Sequence, residues 1–212
     1  MQTIIMRLGG SSGHTDAVRA AARIMREGGV AVFPTETVYG IGTNALDGKA
    51  CARVYRIKGR ERKKALIVLV SDMQMLGRIA YVPRGYRRAL SRAWPAPLTV
   101  ILRSKPCVPS IVTAGTGTVA VRIPSNTIAL ALIRAAGVPL IAPSANPSGL
   151  KPSETGAQAI RYFKGRVDAI LDSGRAGCGV PSTIIALPEL RVIREGAFTM
   201  RQIERAFGRL RA

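Results

Sequence analysis

Val30-Ala31-Val32-Phe33-Pro34-Thr35-Glu36-Thr37-Val38-Tyr39-Gly40-Ile41-Gly42 passes from four apolar, β-type residues into a polar loop closed by two glycines. Pro34 has no N–H to donate, so a strand over 30–33 stops pairing there. The next three residues place two hydroxyls and one carboxylate at the strand's carboxyl end, and Gly40 and Gly42 keep the backbone bare. In open α/β sheets ligands sit at that edge. The loop suits a small molecule with amine, hydroxyl and carboxylate groups; alone, it also fits a strand followed by a capped turn.

On both sides of this stretch helical and strand signals alternate, which predicts an α/β architecture. Strands are expected over 3–8, 65–70, 98–102, 118–123, 139–142, 169–171, 183–186 and 191–194. A helix over 16–27 is expected to be capped by Thr15 or Asp16 and stopped by Gly28-Gly29. Another over 49–57 delivers Lys58 and Arg60 at its C-terminal end. Ser71-Asp72-Met73-Gln74, Thr155-Gly156-Ala157-Gln158 and Thr199-Met200-Arg201-Gln202 each fit a capping box, the last opening a helix over 201–210. Pro83 suits the first position of a helix over 83–92. Pro124-Ser125-Asn126 opens a helix that stops at Gly137. The sequence has no internal repeat, low-complexity tract or linker.

The chain has 212 residues, enough for one domain with a sizeable core. No apolar run approaches the ~18 residues of a membrane span; 127–142 comes nearest and is broken by Arg134, Gly137 and Pro139. The N-terminus lacks a basic region before an apolar core, so no signal peptide is read, and a soluble cytoplasmic protein is expected. Cys51, Cys107 and Cys178 are too far apart for a zinc knuckle or a CxxC and read as reduced packing residues. The one histidine, His14, falls in a Gly/Ser-rich turn and reads as a solvated loop residue, which argues against a histidine triad or metal cluster. The net charge is +20, from 32 basic residues of which only seven are lysine. Such a surface attracts polyanions, RNA first among them, although an arginine-rich composition can also be simply solvated. Aromatic residues make up 5%, which does not support a stacking platform for single-stranded RNA.

Further motifs follow the opening stretch in order. They are Lys58-Gly59-Arg60; Trp94-Pro95-Ala96-Pro97-Leu98-Thr99; Val119-Ala120-Val121-Arg122-Ile123-Pro124; Ala142-Pro143-Ser144-Ala145-Asn146-Pro147-Ser148-Gly149; Pro181-Ser182-Thr183; and Ile193-Arg194-Glu195-Gly196. Arg122 lies in an apolar run and needs a partner, either a structural carboxylate or a substrate carboxylate held by the guanidinium fork. Lys58 to Lys64 is strongly basic and reads as a solvated patch or a phosphate site. Ser144 and Asn146 suit turn chemistry as well as ligand contacts. Trp94 between two prolines reads as a structural corner.

Together the motifs resemble the signature of the YrdC-like threonylcarbamoyl-AMP synthase family over nearly the whole chain. The resemblance implies one YrdC-like domain over 1–212, a twisted mixed sheet with helices on its faces, without the extra C-terminal domain of some relatives. It implies a nucleotidyltransferase making threonylcarbamoyl-AMP and pyrophosphate from L-threonine, bicarbonate and ATP, for threonylcarbamoyladenosine at tRNA position 37. Carried over residue by residue, Thr35, Arg122, Ala142 and Ser182 would bind threonine. Lys58, Arg60, Lys64, Thr118, Ser144, Asn146, Ser153 and Arg194 would bind ATP, with magnesium near Ser144 and Asn146. A tRNA-modifying threonylcarbamoyl transferase would receive the product, and weak tRNA or double-stranded RNA binding is expected. The chain departs from the family pattern at Glu61, where relatives often carry Pro, at Lys64 in place of Asn, and at Leu69 in place of His. Two other readings stay open: an RNA-binding factor on the same fold, and a paralogue with a different carbamoyl-adenylate substrate.

Overall fold

A computed structural model describes residues 2–8 and 11–208, with the backbone alone at 11–13. In chain order its elements are β1 (Ile4–Arg7), α1 (Ser11–Arg26), β2 (Ala31–Phe33), β3 (Gly40–Gly42), α2 (Gly48–Lys58), β4 (Ile67–Leu69), α3 (Met73–Ile79), β5 (Ala80–Tyr81) and α4 (Tyr86–Ala93). There follow β6 (Leu98–Ser104), α5 (Ser110–Thr113), β7 (Thr118–Arg122), α6 (Thr127–Ala136), β8 (Leu140–Ile141), α7 (Gly156–Phe163), β9 (Ala169–Asp172), β10 (Thr183–Ala186), β11 (Arg191–Arg194) and α8 (Met200–Phe207).

Local chemistry accounts for most helix ends. Asp47 accepts from Lys49 N and Ala50 N to start α2, and Gly59 ends it at φ 61°. Asn126 and Gly137 bound α6 in the same way. Capping boxes open α7 at Thr155 and α8 at Thr199. Other expectations are corrected. α1 starts at Ser11, so Thr15 and Asp16 lie inside it, and His14 sits on a helix rather than in a turn. Its Nε2 has no hydrogen-bond partner among the described residues, and the residue borders a cavity between α1 and α6. Asp72, not Ser71, caps α3 by accepting from Met75 N, while the Ser71 hydroxyl bonds Asp72 Oδ2. Pro83 does not open α4: its carbonyl accepts from Tyr86 N in a turn, and Gly85 at φ 92° precedes the helix. β3, β5 and α5 were not anticipated. The expected final helix stops at Phe207, and positions 209–210 lie outside the described residues. Of the cysteines only Cys51 packs inside; Cys107 and Cys178 are exposed. Trp94 forms the expected corner, buried with its indole N–H on the Leu98 carbonyl.

The strands divide into two mixed sheets. One has the order β1-β9-β2-β3, parallel except for the β2–β3 hairpin. The other runs β11-β10-β6-β7-β4-β8, with β5 also on β6. The sheets meet where β3 approaches β8. Ile41 N donates to Pro143 O, Ile141 N donates to Thr43 O, and bridges join Gly40 to Ser144 and Asn44 to Leu140. That approach requires glycine at 42: a Cβ there would lie 1.9 Å from the Ile141 carbonyl oxygen. Phe33, Tyr39, Ile41, Leu69 and Ile141 are fully buried around this seam. Each large apolar side chain so placed contributes roughly 1.5–3 kcal/mol. The 34–39 loop and the 142–146 loop therefore face each other across a seam between sheets, not along one edge of a parallel sheet.

Candidate functional site

At the seam lies a cavity of about 240 Å³. Its walls come from the ends of elements. Thr35 and Thr37 follow β2. Arg60 follows the α2 cap. Arg122 is the last residue of β7. Ala142 and Ser144 follow β8. Ser182 precedes β10, and Arg194 ends β11.

Arg122 is buried, with Nη1 3.4 Å from both Glu36 Oε1 and Thr37 Oγ1. Burial pulls its pKa down, and the Glu36 carboxylate opposes that shift. Arg194 is depressed as well, by burial and then by Arg122. Its guanidinium is fastened to Ser182, through the carbonyl at 2.8 Å and 3.2 Å and the hydroxyl at 3.4 Å. Ser182 Oγ in turn meets Thr99 Oγ1 at 2.8 Å. Three guanidiniums, those of Arg60, Arg122 and Arg194, thus line one cavity, which suits an anionic ligand. The hydroxyls of the 34–39 loop are ordered: Thr35 Oγ1 donates to the Val38 carbonyl at 2.6 Å and lies 2.9 Å from Thr37 Oγ1. Arg60 lines the wall while donating to the Lys64 and Ala65 carbonyls.

The sequence expectation and the cavity overlap in part. Thr35, Arg60, Arg122, Ala142, Ser144, Ser182 and Arg194 come together in its walls; Lys58, Lys64, Thr118, Asn146 and Ser153 do not. The Lys58 ammonium is buried and donates to the carbonyls of Ser144 and Asn146, both at 2.5 Å, and to Asn146 Oδ1 at 3.3 Å. Burial and then Arg60 pull its pKa down to about 7. It is a strut under the 142–146 loop. Ser153 also serves that loop, with its hydroxyl 2.6 Å from the Ala145 carbonyl. Lys64 is exposed and paired with Glu61 at 2.6 Å. Thr118 stands at the far end of β7 from Arg122, bonded to Thr116.

Ser144 Oγ donates to Asn146 Oδ1 at 2.6 Å, and the oxygens expected near magnesium already face the Lys58 ammonium. No cluster of three His, Cys, Asp or Glu side chains exists among the described residues. The loop as folded does not fit a protein-held divalent cation. Leu69 is fully buried in register with Arg122 and presents no polar group where relatives often carry histidine. Sequence reasoning did not single out Thr37, Pro152 and Pro181, which line the cavity, or Glu36 behind Arg122. Glu36 and Thr37 were nevertheless visible as polar residues inside the opening stretch.

The cavity walls hold hydroxyls, guanidiniums and backbone, with no histidine or cysteine. Such a site is suited to aligning reactants and neutralising charge.

Residues 23–196 match the Sua5/yciO/yrdC family, described as telomere recombination. Threonylcarbamoyl-AMP synthase of Pyrococcus abyssi is 41% identical over 198 residues, covering 92% of this chain and 58% of the relative. The protein of that name from Halorhodospira halophila is 35% identical over 185 residues, covering 87% of this chain and 94% of the relative. The crystal structure of P. abyssi Sua5 complexed with L-threonine aligns with a TM-score of 0.91 at 37% identity, over 100% of this chain and 62% of that one. The chain thus spans little more than half the length of the P. abyssi relative.

Proposed function

Because the chain belongs to the Sua5/YciO/YrdC family, we propose that it is a threonylcarbamoyl-AMP synthase. The observation that carries the reading is that the buried Arg122 guanidinium and the more exposed Arg194, tied to Ser182, line one hydroxyl-bearing cavity. A relative of nearly the same length carries that name, which supports activity in a chain this short. A P. abyssi structure that aligns with it holds L-threonine.

In the reaction the amine nitrogen of threonine attacks the carbon of CO2 drawn from bicarbonate. The new C–N bond gives a carbamate as the amine loses a proton. A carbamate oxygen then attacks the α-phosphorus of ATP, the bond to the β-phosphate breaks, and pyrophosphate leaves. Arg122 takes the threonine carboxylate through its fork. Thr35, Ala142 and Ser182 complete that half of the site. Arg60, Ser144 and Arg194 hold the nucleotide, and Lys58 and Ser153 keep the 142–146 loop in place. Alignment alone can supply roughly 7–11 kcal/mol of barrier lowering. A tRNA-modifying transferase consumes the adenylate, and the cytoplasm is the compartment of both steps.

Incubating the pure protein with ATP, L-threonine and bicarbonate tests the reading. Mass spectrometry should detect threonylcarbamoyl-AMP together with pyrophosphate, and omission of any one reactant should abolish both. Pyrophosphate release that ignores threonine would overturn it.

A further inference from the structure

Glu36 was assigned no role by motif, and its placement behind Arg122 is unusual. Its side chain is only 12% exposed, and neither carboxylate oxygen has a hydrogen-bond donor among the described residues. The nearest cation is Arg122 Nη1, at 3.4 Å from Oε1. That is beyond the usual 2.7–3.2 Å of an N–H···O bond. Arg122 Nε is buried and without a partner among the described residues. The two groups therefore compensate each other's charge without using up the guanidinium's donors.

The backbone that carries this carboxylate is held by one neighbouring segment. The carbonyls of Thr35, Glu36 and Thr37 accept from the N–H groups of Gly177, Cys178 and Gly179, at 3.2, 3.1 and 2.9 Å. Gly177 packs so closely that a Cβ there would lie 1.7 Å from the Glu36 carbonyl oxygen.

We propose that Glu36 is a positioning residue, the internal counter-ion of Arg122, which sets how tightly Arg122 grips the substrate carboxylate. The proposal rests on the assignment of that carboxylate to Arg122. In the ligand-free protein Glu36 supplies the negative charge that a buried guanidinium requires. When the substrate carboxylate arrives it takes guanidinium donors not used by Thr37, and Glu36 then weakens the grip by competing for the same cation. The reactant is thereby bound firmly enough to align, while the product, which keeps the same carboxylate, is free to leave.

Neutralising residue 36 should consequently act in opposite directions on the empty and filled protein. Glu36→Gln keeps the shape and removes the charge. Its melting temperature should fall without ligand, and saturating L-threonine should raise it by more than in wild type. Calorimetric titration should show L-threonine bound more tightly, by roughly threefold or more, the size of one partly screened charge interaction. KM for threonine should fall, with kcat falling alongside it as the product lingers. Glu36→Asp, which retreats the charge by one methylene, should shift both quantities in the same direction but less, and carries the test if the glutamine variant does not fold. A residue that merely packs would give equal threonine-induced shifts in variant and wild type. Equal shifts, or weaker threonine binding in both variants, would overturn the proposal, provided Arg122→Lys loses threonine affinity. If Arg122→Lys binds threonine like wild type, the assignment of Arg122 falls and takes this proposal with it.

Discussion

Arg122 and Lys58 illustrate what a single residue discloses. A guanidinium inside the apolar β7 run announces a partner, and the cavity shows which side it faces. Arg122→Lys should raise KM for threonine severalfold or more, because a point charge does not replace two parallel donors. Steady-state kinetics at saturating ATP checks this, and an unchanged KM in a folded variant contradicts the assignment. The basic run around Lys58 reads locally as a solvated patch or a phosphate site, and only the family resemblance makes Lys58 an ATP ligand. Its acceptors lie 86 and 88 positions away, beyond any local signal. Its pKa of about 7, against an ordinary 10.5, sets a pH signature. Between those values the unfolded chain keeps a proton that the folded chain has released. Folded stability from this group therefore rises with pH across that window, by at most about 1.4 kcal/mol per unit. Denaturant unfolding from pH 7 to 9.5 should give wild type a steeper rise than Lys58→Met. Parallel curves would refute the shift. The neutral amine still has two donors for three oxygens, so the strut itself should survive deprotonation.

At the scale of elements, caps and breakers were readable and pairing was not. Asn126 with Gly137, and the boxes at Thr155 and Thr199, act within one turn, so the sequence discloses them. The β2–β3 hairpin is not legible in the sequence, since Gly40-Ile41-Gly42 has little strand propensity and is a strand through its antiparallel pairing with β2. Two glycines separate its structural from its functional demands. Gly42→Ala forces β3 away from the Ile141 carbonyl and should cost about 1–3 kcal/mol or more of stability, seen as a lower urea midpoint. Gly177→Ala strikes the Glu36 carbonyl and lies on an exposed segment. It should disturb the 35–37 loop and weaken threonine binding, with a smaller loss of midpoint. If the two variants lose threonine affinity in proportion to stability, the segment has no specific hold on the loop.

For the whole molecule the governing quantity is the +20 charge. Arg84, Arg87, Arg88 and Arg92 in and before α4 and Arg201 and Arg205 on α8 are exposed, and these two helices pack together. Filter binding of tRNA should be detectable at low salt and fall steeply as salt rises, through counterion release. Joint replacement of Arg87, Arg88 and Arg201 by Glu should flatten that slope. No binding at low salt would leave the charge as composition. What the amino-acid order determined by itself were the features that act over a turn or a strand: alternating α and β elements, caps, the polar loops after β2 and β8, and the cations that end elements. Tertiary structure alone decided that the strands form two sheets, that the loops meet at the seam between them, that Lys58 braces one loop, and that Glu36 stands behind Arg122. Apolar periodicity records which face of an element is buried but not against which partner. Those contacts join positions about 85 apart, where only the common burial of whole faces selects the pairing.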